Sequence, residues 1–471
     1  MASAPEVHFE PFLHLVDVGA EEALIAWGGF YFRRGDSPYG EWRIVDDEEL
    51  REVAGTRTGT IGLSSEPYGE AVVEVEREGE IVARVETATN NYAWIRDLEP
   101  ATEYRYRVRV DGEPWAEGEL RDWDLEQRAL VPSGRRYENR FRTFPAAGSH
   151  APVRFAVLGD FGVGILASDE NAYRQTQLAG ALERVCERGD VLLVLTTGDN
   201  VYLGPDTTGS GNEDDDWYAS FYEPYRYVIN QVPVFPTVGN HDVADTESSD
   251  DRDQLDDNFY LRERFRPAVE AGRASLDPGL FYCLRVGATA ELVCIDTSLG
   301  KEAGMEHFFD DEAHLDWLRE ALDDDPDAPT WRIPFSHHPP FCAGPEHGNT
   351  AGMVERLVPL FERAGVRLVL SGHEHNFQHS RVGGIDYVVS GAAGKLRTEE
   401  PTGFEAAGTR AWAATGHFLL VDLDDERALV HPVAGVAEDG TLEEIELRAP
   451  DGGRVTAPIE IARAADSPQR P

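Results

Sequence analysis

Val153-Arg-Phe-Ala-Val-Leu-Gly-Asp-Phe-Gly162 decides the fold: a largely apolar run breaks off at Gly159-Asp160, and the same signature returns down the chain. Val191–Leu195 leads to Gly198-Asp199-Asn-Val-Tyr202, and Val232–Val238 leads to Gly239-Asn240-His241-Asp242. Trp331–Phe335 leads to His337-His338-Pro339, and Val366–Leu370 leads to Gly372-His373-Glu-His375. Apolar runs of this length read as strands buried on both faces. Glu291–Ile295, Tyr387–Val389, Phe418–Leu423 and Ala428–Pro432 read as further strands. Helical periodicity is expected over Glu170–Glu187, Asp311–Leu322 and Gly352–Arg363. The alternation predicts a layered α/β domain whose polar residues gather at strand ends, where open α/β sheets build their sites.

Working upstream, the pattern is all-β. Ala71–Glu76 and Glu80–Val85 alternate in hydropathy, and Leu98-Glu-Pro-Ala-Thr-Glu-Tyr-Arg-Tyr-Arg-Val-Arg-Val110 puts Tyr104, Tyr106, Val108 and Val110 on one face. Arg105, Arg107 and Arg109 fall on the other, a solvated face rather than a binding patch. The L-x-P-x-T-x-Y-x-Y spacing resembles a strand of a fibronectin type III domain, with Tyr104 as its corner tyrosine. Pro145–Pro152 reads as a linker, so the expected division is an all-β sandwich over 1–148 and an α/β domain over 149–471.

The 471 residues carry 43 Lys+Arg against 87 Asp+Glu, a net charge of −44 spread along the whole chain. Such a surface repels phosphate backbones, so no nucleic-acid-binding groove is expected. Only Lys301 and Lys395 are lysines; Lys depletion with excess carboxylate suits solubility in high salt, although a GC-rich genome also favours Arg. With 41% hydrophobic residues the chain has ample material for a core. The N-terminal residues show no basic-then-apolar signal pattern, and the apolar runs are strand-sized, so no membrane segment is expected. Compartment and oligomeric state stay open. Four cysteines are too few for a disulfide framework. Cys283 and Cys294 are equidistant from a turn at Gly287–Ala290 and could face each other, though a reduced buried pair is the preferred reading. The acidic stretches Glu213–Asp216 and Asp245–Asp257 lack EF-hand spacing and read as solvated loops.

Carboxylates, imidazoles and an amide at five strand ends make the ligand set of a dinuclear transition-metal site. In these motifs, over about 153–435, the chain resembles the calcineurin-like metallophosphoesterases, and Tyr202 makes it similar to the purple acid phosphatases. The resemblance implies a four-layer αββα domain behind the N-terminal sandwich. It places one metal on Asp160, Asp199, Tyr202 and His375, and the other on Asp199, Asn240, His337 and His373, with Asp199 bridging. A phenolate donor implies Fe(III), paired with Zn(II), Mn(II) or Fe(II). The implied reaction is hydrolysis of a small-molecule phosphomonoester by a metal-activated hydroxide attacking phosphorus in line; phosphodiester cleavage is the alternative. His241, beside Asn240 but not itself a ligand, is the candidate to contact phosphate or protonate the leaving group. His347 lies near where plant members of the family place a substrate histidine, and His338 fits either a ligand brace or a substrate contact. Asp242 reads as a loop brace, and Asn376, Gln378 and His379 as polar surroundings or turn caps. Substrate choice would rest on loops such as Leu203–Trp217 and Cys342–Asn349. A non-catalytic binding module is the reading from another class, and the seven intact ligand candidates speak against it.

Overall fold

The computed structural model describes residues 7–37, 40–45, 60–166, 169–202, 216–243, 250–277, 279–298, 312–323 and 328–463. Two sheets form the α/β part. In the first, Val153–Leu158 runs parallel to Leu193–Thr196, which is parallel to Val234–Phe235; Phe418–Leu423 and Arg427–Val436 extend it antiparallel on the other side. In the second, Ala290–Ile295, Trp331–Ser336, Leu368–Ser371 and Ile385–Ser390 are parallel neighbours. Phe155, Leu193 and Leu420 of one sheet and Leu292, Phe335 and Leu370 of the other enter one apolar cluster, so the sheets share a core. Helix Glu170–Cys186 adds Leu178 and Leu182 to that cluster, while Glu312–Ala321 and Val358–Arg363 cover the second sheet's far face through Leu315, Leu318 and Phe361 against Val293, Ile295 and Val369. This is an αββα stack. Cover on both faces explains why the strand sequences are apolar runs without alternation.

Proline sets several boundaries. The strand expected over Val232–Val238 shrinks to Val234–Phe235, because Pro233 and Pro236 have no N–H for a ladder. The helix expected over Gly352–Arg363 is two, Ala351–Arg356 and Val358–Arg363, broken where Pro359 cannot donate backwards. The hairpin Phe281–Ile295 pairs Cys283 with Val293 and Cys294 with Tyr282. Its connection centres on Ala288, half a residue from the expected midpoint, so the two cysteines point to opposite faces and all four are free. Residues 250–258 form a helix rather than a solvated loop, and Asp216 is buried; 213–215, 245–249 and the expected substrate loop over 203–215 lie outside the described residues, as does Asp311.

The N-terminal part holds a four-stranded sheet, with Ala23–Ser37 at its centre and Val7–Val18 pairing along it, and a five-stranded sheet, with Ala71–Arg77 beside Glu103–Val110. Tyr104, Tyr106, Val108 and Val110 point into the core as the alternation predicts, and Tyr104 Oη accepts from Glu99 N at 2.8 Å. Phe12 and Phe30 pack against Tyr218 and Tyr222, so the apolar core continues from these sheets into the α/β part. No described helix is long and apolar enough to cross a membrane.

Candidate metal centre

The parallel strands of both sheets deliver their following residues to one edge, which is why residues from 160 to 397 can meet there. The exits are sharp. Asp160 (φ 55°), Asp199 (φ 52°) and His373 (φ 70°) all adopt the left-handed conformation without being glycine, at a cost of about 1 kcal/mol or more each. Hydrogen bonds over-determine them. Gly394 N and Lys395 N both donate to the Asp160 carbonyl at 3.1 Å, His373 N donates to Asp160 Oδ2 at 2.9 Å, and His241 N donates to Asp199 Oδ1 at 2.9 Å. Gly198 (φ 88°) is required as glycine, because a Cβ there would lie 2.7 Å from His337 Nδ1.

Two groups of donors result. His337 Nδ1 lies 2.8 Å from the Thr197 carbonyl, which can only accept, so Nδ1 carries the proton and Nε2 presents a lone pair. That Nε2 faces Asn240 Oδ1 at 2.9 Å, His373 Nδ1 at 3.1 Å and Asp199 Oδ1 at 3.5 Å. In the second group Tyr202 Oη lies 3.3 Å from His375 Nε2 and 3.5 Å from Asp160 Oδ1, with His375 Nε2 and Asp160 Oδ1 3.4 Å apart. All seven candidates from the strand-end motifs therefore converge, four of them buried and three half-buried. Acceptor atoms crowd one another with few donors between them, the arrangement a cation resolves, so the residues fit a metal pair.

The electrostatics agree. Burial, followed by the charge of Asp199, drives the Asp160 carboxyl well above the ordinary carboxylate range, and burial with both aspartates does the same to the Tyr202 phenol. Burial also opposes ionisation of Asp199, but His337 and His241 outweigh it and hold that carboxyl low. Burial, then neighbouring imidazoles, pushes His373 far below the usual range; burial, then Arg397, brings His375 to about 3. These imidazoles are held neutral, the form that ligates.

The other candidates surround this set. The His241 ring is 4.5 Å from the Tyr202 ring, with Nδ1 buried and unpartnered. His347 lies over His373 at a ring separation of 3.8 Å, and His338 lies 4.3 Å from His373 with Nδ1 2.9 Å from Thr297 Oγ1. Asp242 braces the loop, accepting from Asn200 N, Val201 N and Gly239 N. Asn376 accepts from Gln378, which accepts from Ala343 N, and His379 pairs with Asp386, so these three support the scaffold.

Three neighbours escape the sequence reading. Glu374, fully buried between two ligand candidates, accepts from Arg397 at 2.8 Å and from His347 N at 3.0 Å. Lys395 Nζ stands 4.8 Å from the Tyr202 ring centroid. The signal was present: Tyr387-Val-Val-Ser-Gly-Ala-Ala-Gly394 is a sixth strand ending in glycine, followed by Lys395 and Arg397.

Residues 153–377 match the family model of calcineurin-like phosphoesterases. "Purple acid phosphatase 3" of Arabidopsis thaliana is 28% identical over 270 residues, which cover 52% of this chain and 63% of that relative. Among solved structures, a purple acid phosphatase from yellow lupin (Lupinus luteus) superposes with a TM-score of 0.57 at 15% identity, covering 93% of this chain and 74% of its own. PhoD superposes with a TM-score of 0.59 at 13% identity, covering 97% and 94%. The strand order and the converging exits agree with the match of residues 153–377 to the calcineurin-like phosphoesterase model.

Proposed function

We propose that this protein is a metal-dependent phosphoric ester hydrolase with a dinuclear centre, acting on small-molecule phosphomonoesters. The observation that carries the reading is the convergence of Asn240 Oδ1, His373 Nδ1 and Asp199 Oδ1 within 2.9–3.5 Å of His337 Nε2, beside the Asp160–Tyr202–His375 group. Asp160, Tyr202 and His375 would hold one ion, Asn240, His337 and His373 the other, and Asp199 both. The Tyr202 phenol favours Fe(III) in its group, with Zn(II), Mn(II) or Fe(II) in the other. Two bound cations would supply a water acidic enough to attack at physiological pH and charge stabilisation for the phosphoryl oxygens.

The chain's own residues do the rest. Thr197 fixes the His337 tautomer, so its lone pair stays directed at the site. Asp242 holds the Gly239–His241 turn, which keeps Asn240 and His241 in place. His241, half-buried beside Asn240, would hydrogen-bond a phosphoryl oxygen or protonate the departing alcohol. His347 and His338 line the side of His373, where a substrate would enter.

The test is hydrolysis of p-nitrophenyl phosphate against bis-p-nitrophenyl phosphate by protein reconstituted with iron plus zinc or manganese in molar salt. The expected result is turnover of both with the monoester preferred at least about tenfold in kcat/KM, or about 1.4 kcal/mol. A diester preference would move the substrate class. Turnover of neither would remove the hydrolase reading.

A further inference from the structure

The segment Gly394–Arg397 is pinned beside the candidate metal centre by four hydrogen bonds to three residues. Gly394 N and Lys395 N donate to the Asp160 carbonyl, Arg397 N donates to the His375 carbonyl at 2.8 Å, and Arg174 donates to the Gly394 carbonyl at 2.6 Å. The Arg397 side chain is committed to Glu374, so its charge is neutralised within 2.8 Å. What this scaffold presents without a partner is Lys395. Its half-buried ammonium lies over the Tyr202 ring, and no ion pair or hydrogen bond engages it among the described residues. That is unusual in a chain with 87 acidic residues and only two lysines.

A protein of net charge −44 repels anionic substrates at long range, so a site for them needs local positive charge beyond what its ligand carboxylates cancel. Lys395 supplies one such charge on a rigid backbone, next to the Tyr202 group and on the same ring that His241 approaches. An ammonium distinguishes anions by charge. A phosphomonoester dianion has an oxygen to spare for it, whereas a diester carries a second alkyl or aryl group on that oxygen and one charge fewer. We infer that Lys395 binds the doubly charged phosphoryl group and selects monoesters over diesters. The inference rests on the proposed hydrolase reading for the site's location, but its first readout is binding.

Calorimetric titration of inorganic phosphate into metal-loaded wild type, K395M and K395R tests it, alongside KM and kcat for the two p-nitrophenyl esters and metal content. K395M is expected to weaken phosphate binding and raise the monoester KM about tenfold, about 1.4 kcal/mol. The diester KM should move less than about twofold, and K395R should recover most of the loss. Unchanged phosphate affinity and an unchanged monoester-to-diester ratio in fully loaded K395M would overturn the inference. So would loss of metal from K395M, which would make Lys395 a brace for Tyr202. A wild type that binds phosphate yet hydrolyses neither ester would refute the hydrolase reading and leave Lys395 judged by phosphate affinity alone.

Discussion

Two clusters of buried charge lie in this molecule, and they are built on opposite plans. Around Arg226, itself 1% exposed, every donor is answered: Glu10 at 2.7 Å, Glu223 and Asp122 at 3.2 Å, Tyr137 Oη at 2.8 Å and the Arg121 carbonyl at 2.7 Å, with the guanidinium over the Phe12 ring. At the strand ends, Asp160, Asp199 and three neutral imidazoles face one another with acceptors aimed at acceptors. The first cluster is balanced internally and joins the N-terminal sheets to helix Glu223–Ile229. The second is balanced only by something from outside the chain. Burial alone therefore does not mark a functional site; buried charge without its counter-charge does.

Removing one residue from each cluster should give opposite phenotypes. Asp199→Asn should lower kcat at least about 1,000-fold and cost at least one bound metal, since loss of a single stabilising donor already costs about 100–1,000-fold elsewhere. Metal-free Asp199→Asn should nevertheless melt close to the metal-free wild type, because Asn can still accept from His241 N. Metal analysis, initial rates and thermal melts decide it; near-wild-type turnover would undo the bridging assignment. Arg226→Met should do the reverse. It strips the counter-charge from Glu10 and Asp122 and should destabilise by about 3–5 kcal/mol, while a folded fraction keeps its metal. Denaturant unfolding measures it, and a loss under about 1 kcal/mol would mean the cluster tolerates an unpaired acid.

Within the balanced cluster, one acid is held protonated. Burial raises Glu223 from 4.5 to about 8, against the pull of Arg226. A carboxyl raised on folding contributes stability that is complete below the unfolded value and lost as pH climbs through the folded one. The melting temperature should therefore decline between about pH 4.5 and 8 on this account, and Glu223→Gln should flatten the decline. Parallel slopes for the two proteins would assign the pH dependence to other groups.

How much of this was legible beforehand follows from the range of the forces involved. An apolar run that ends in a short polar motif, with glycine in four of the five, is a local signal, so the five strand ends and their seven donors could be read from the chain. The helix break at Pro359 and the short strand between Pro233 and Pro236 are equally local, but they follow from missing backbone donors, which hydropathy does not register. The hairpin register turned on a single residue at Ala288. Arg226 could not be read at all: its partners Glu10, Asp122 and Tyr137 are about 90 to 216 positions away. Glu374 and Lys395 sit between these cases, adjacent to motif residues yet given meaning only by Arg397 and Tyr202 across the site.

The smallest expected effect concerns the charge left outside both clusters. Many of the other ion pairs among the described residues are exposed Arg–carboxylate contacts, such as Arg84–Glu86 and Arg319–Asp316, each worth about 0–1 kcal/mol and weakened by salt. Against them stands the repulsion among 87 carboxylates with 43 cations, which salt weakens as well. Because the repulsive pairs outnumber the attractive ones, screening should favour the compact state, and the melting temperature should rise by several degrees between 0.1 and about 2 M NaCl. Neither cluster should contribute, since buried pairs are screened little; Arg226→Met and Asp199→Asn should show the same salt slope as wild type. A slope that changes in either variant would mean that one of these clusters is open to solvent ions.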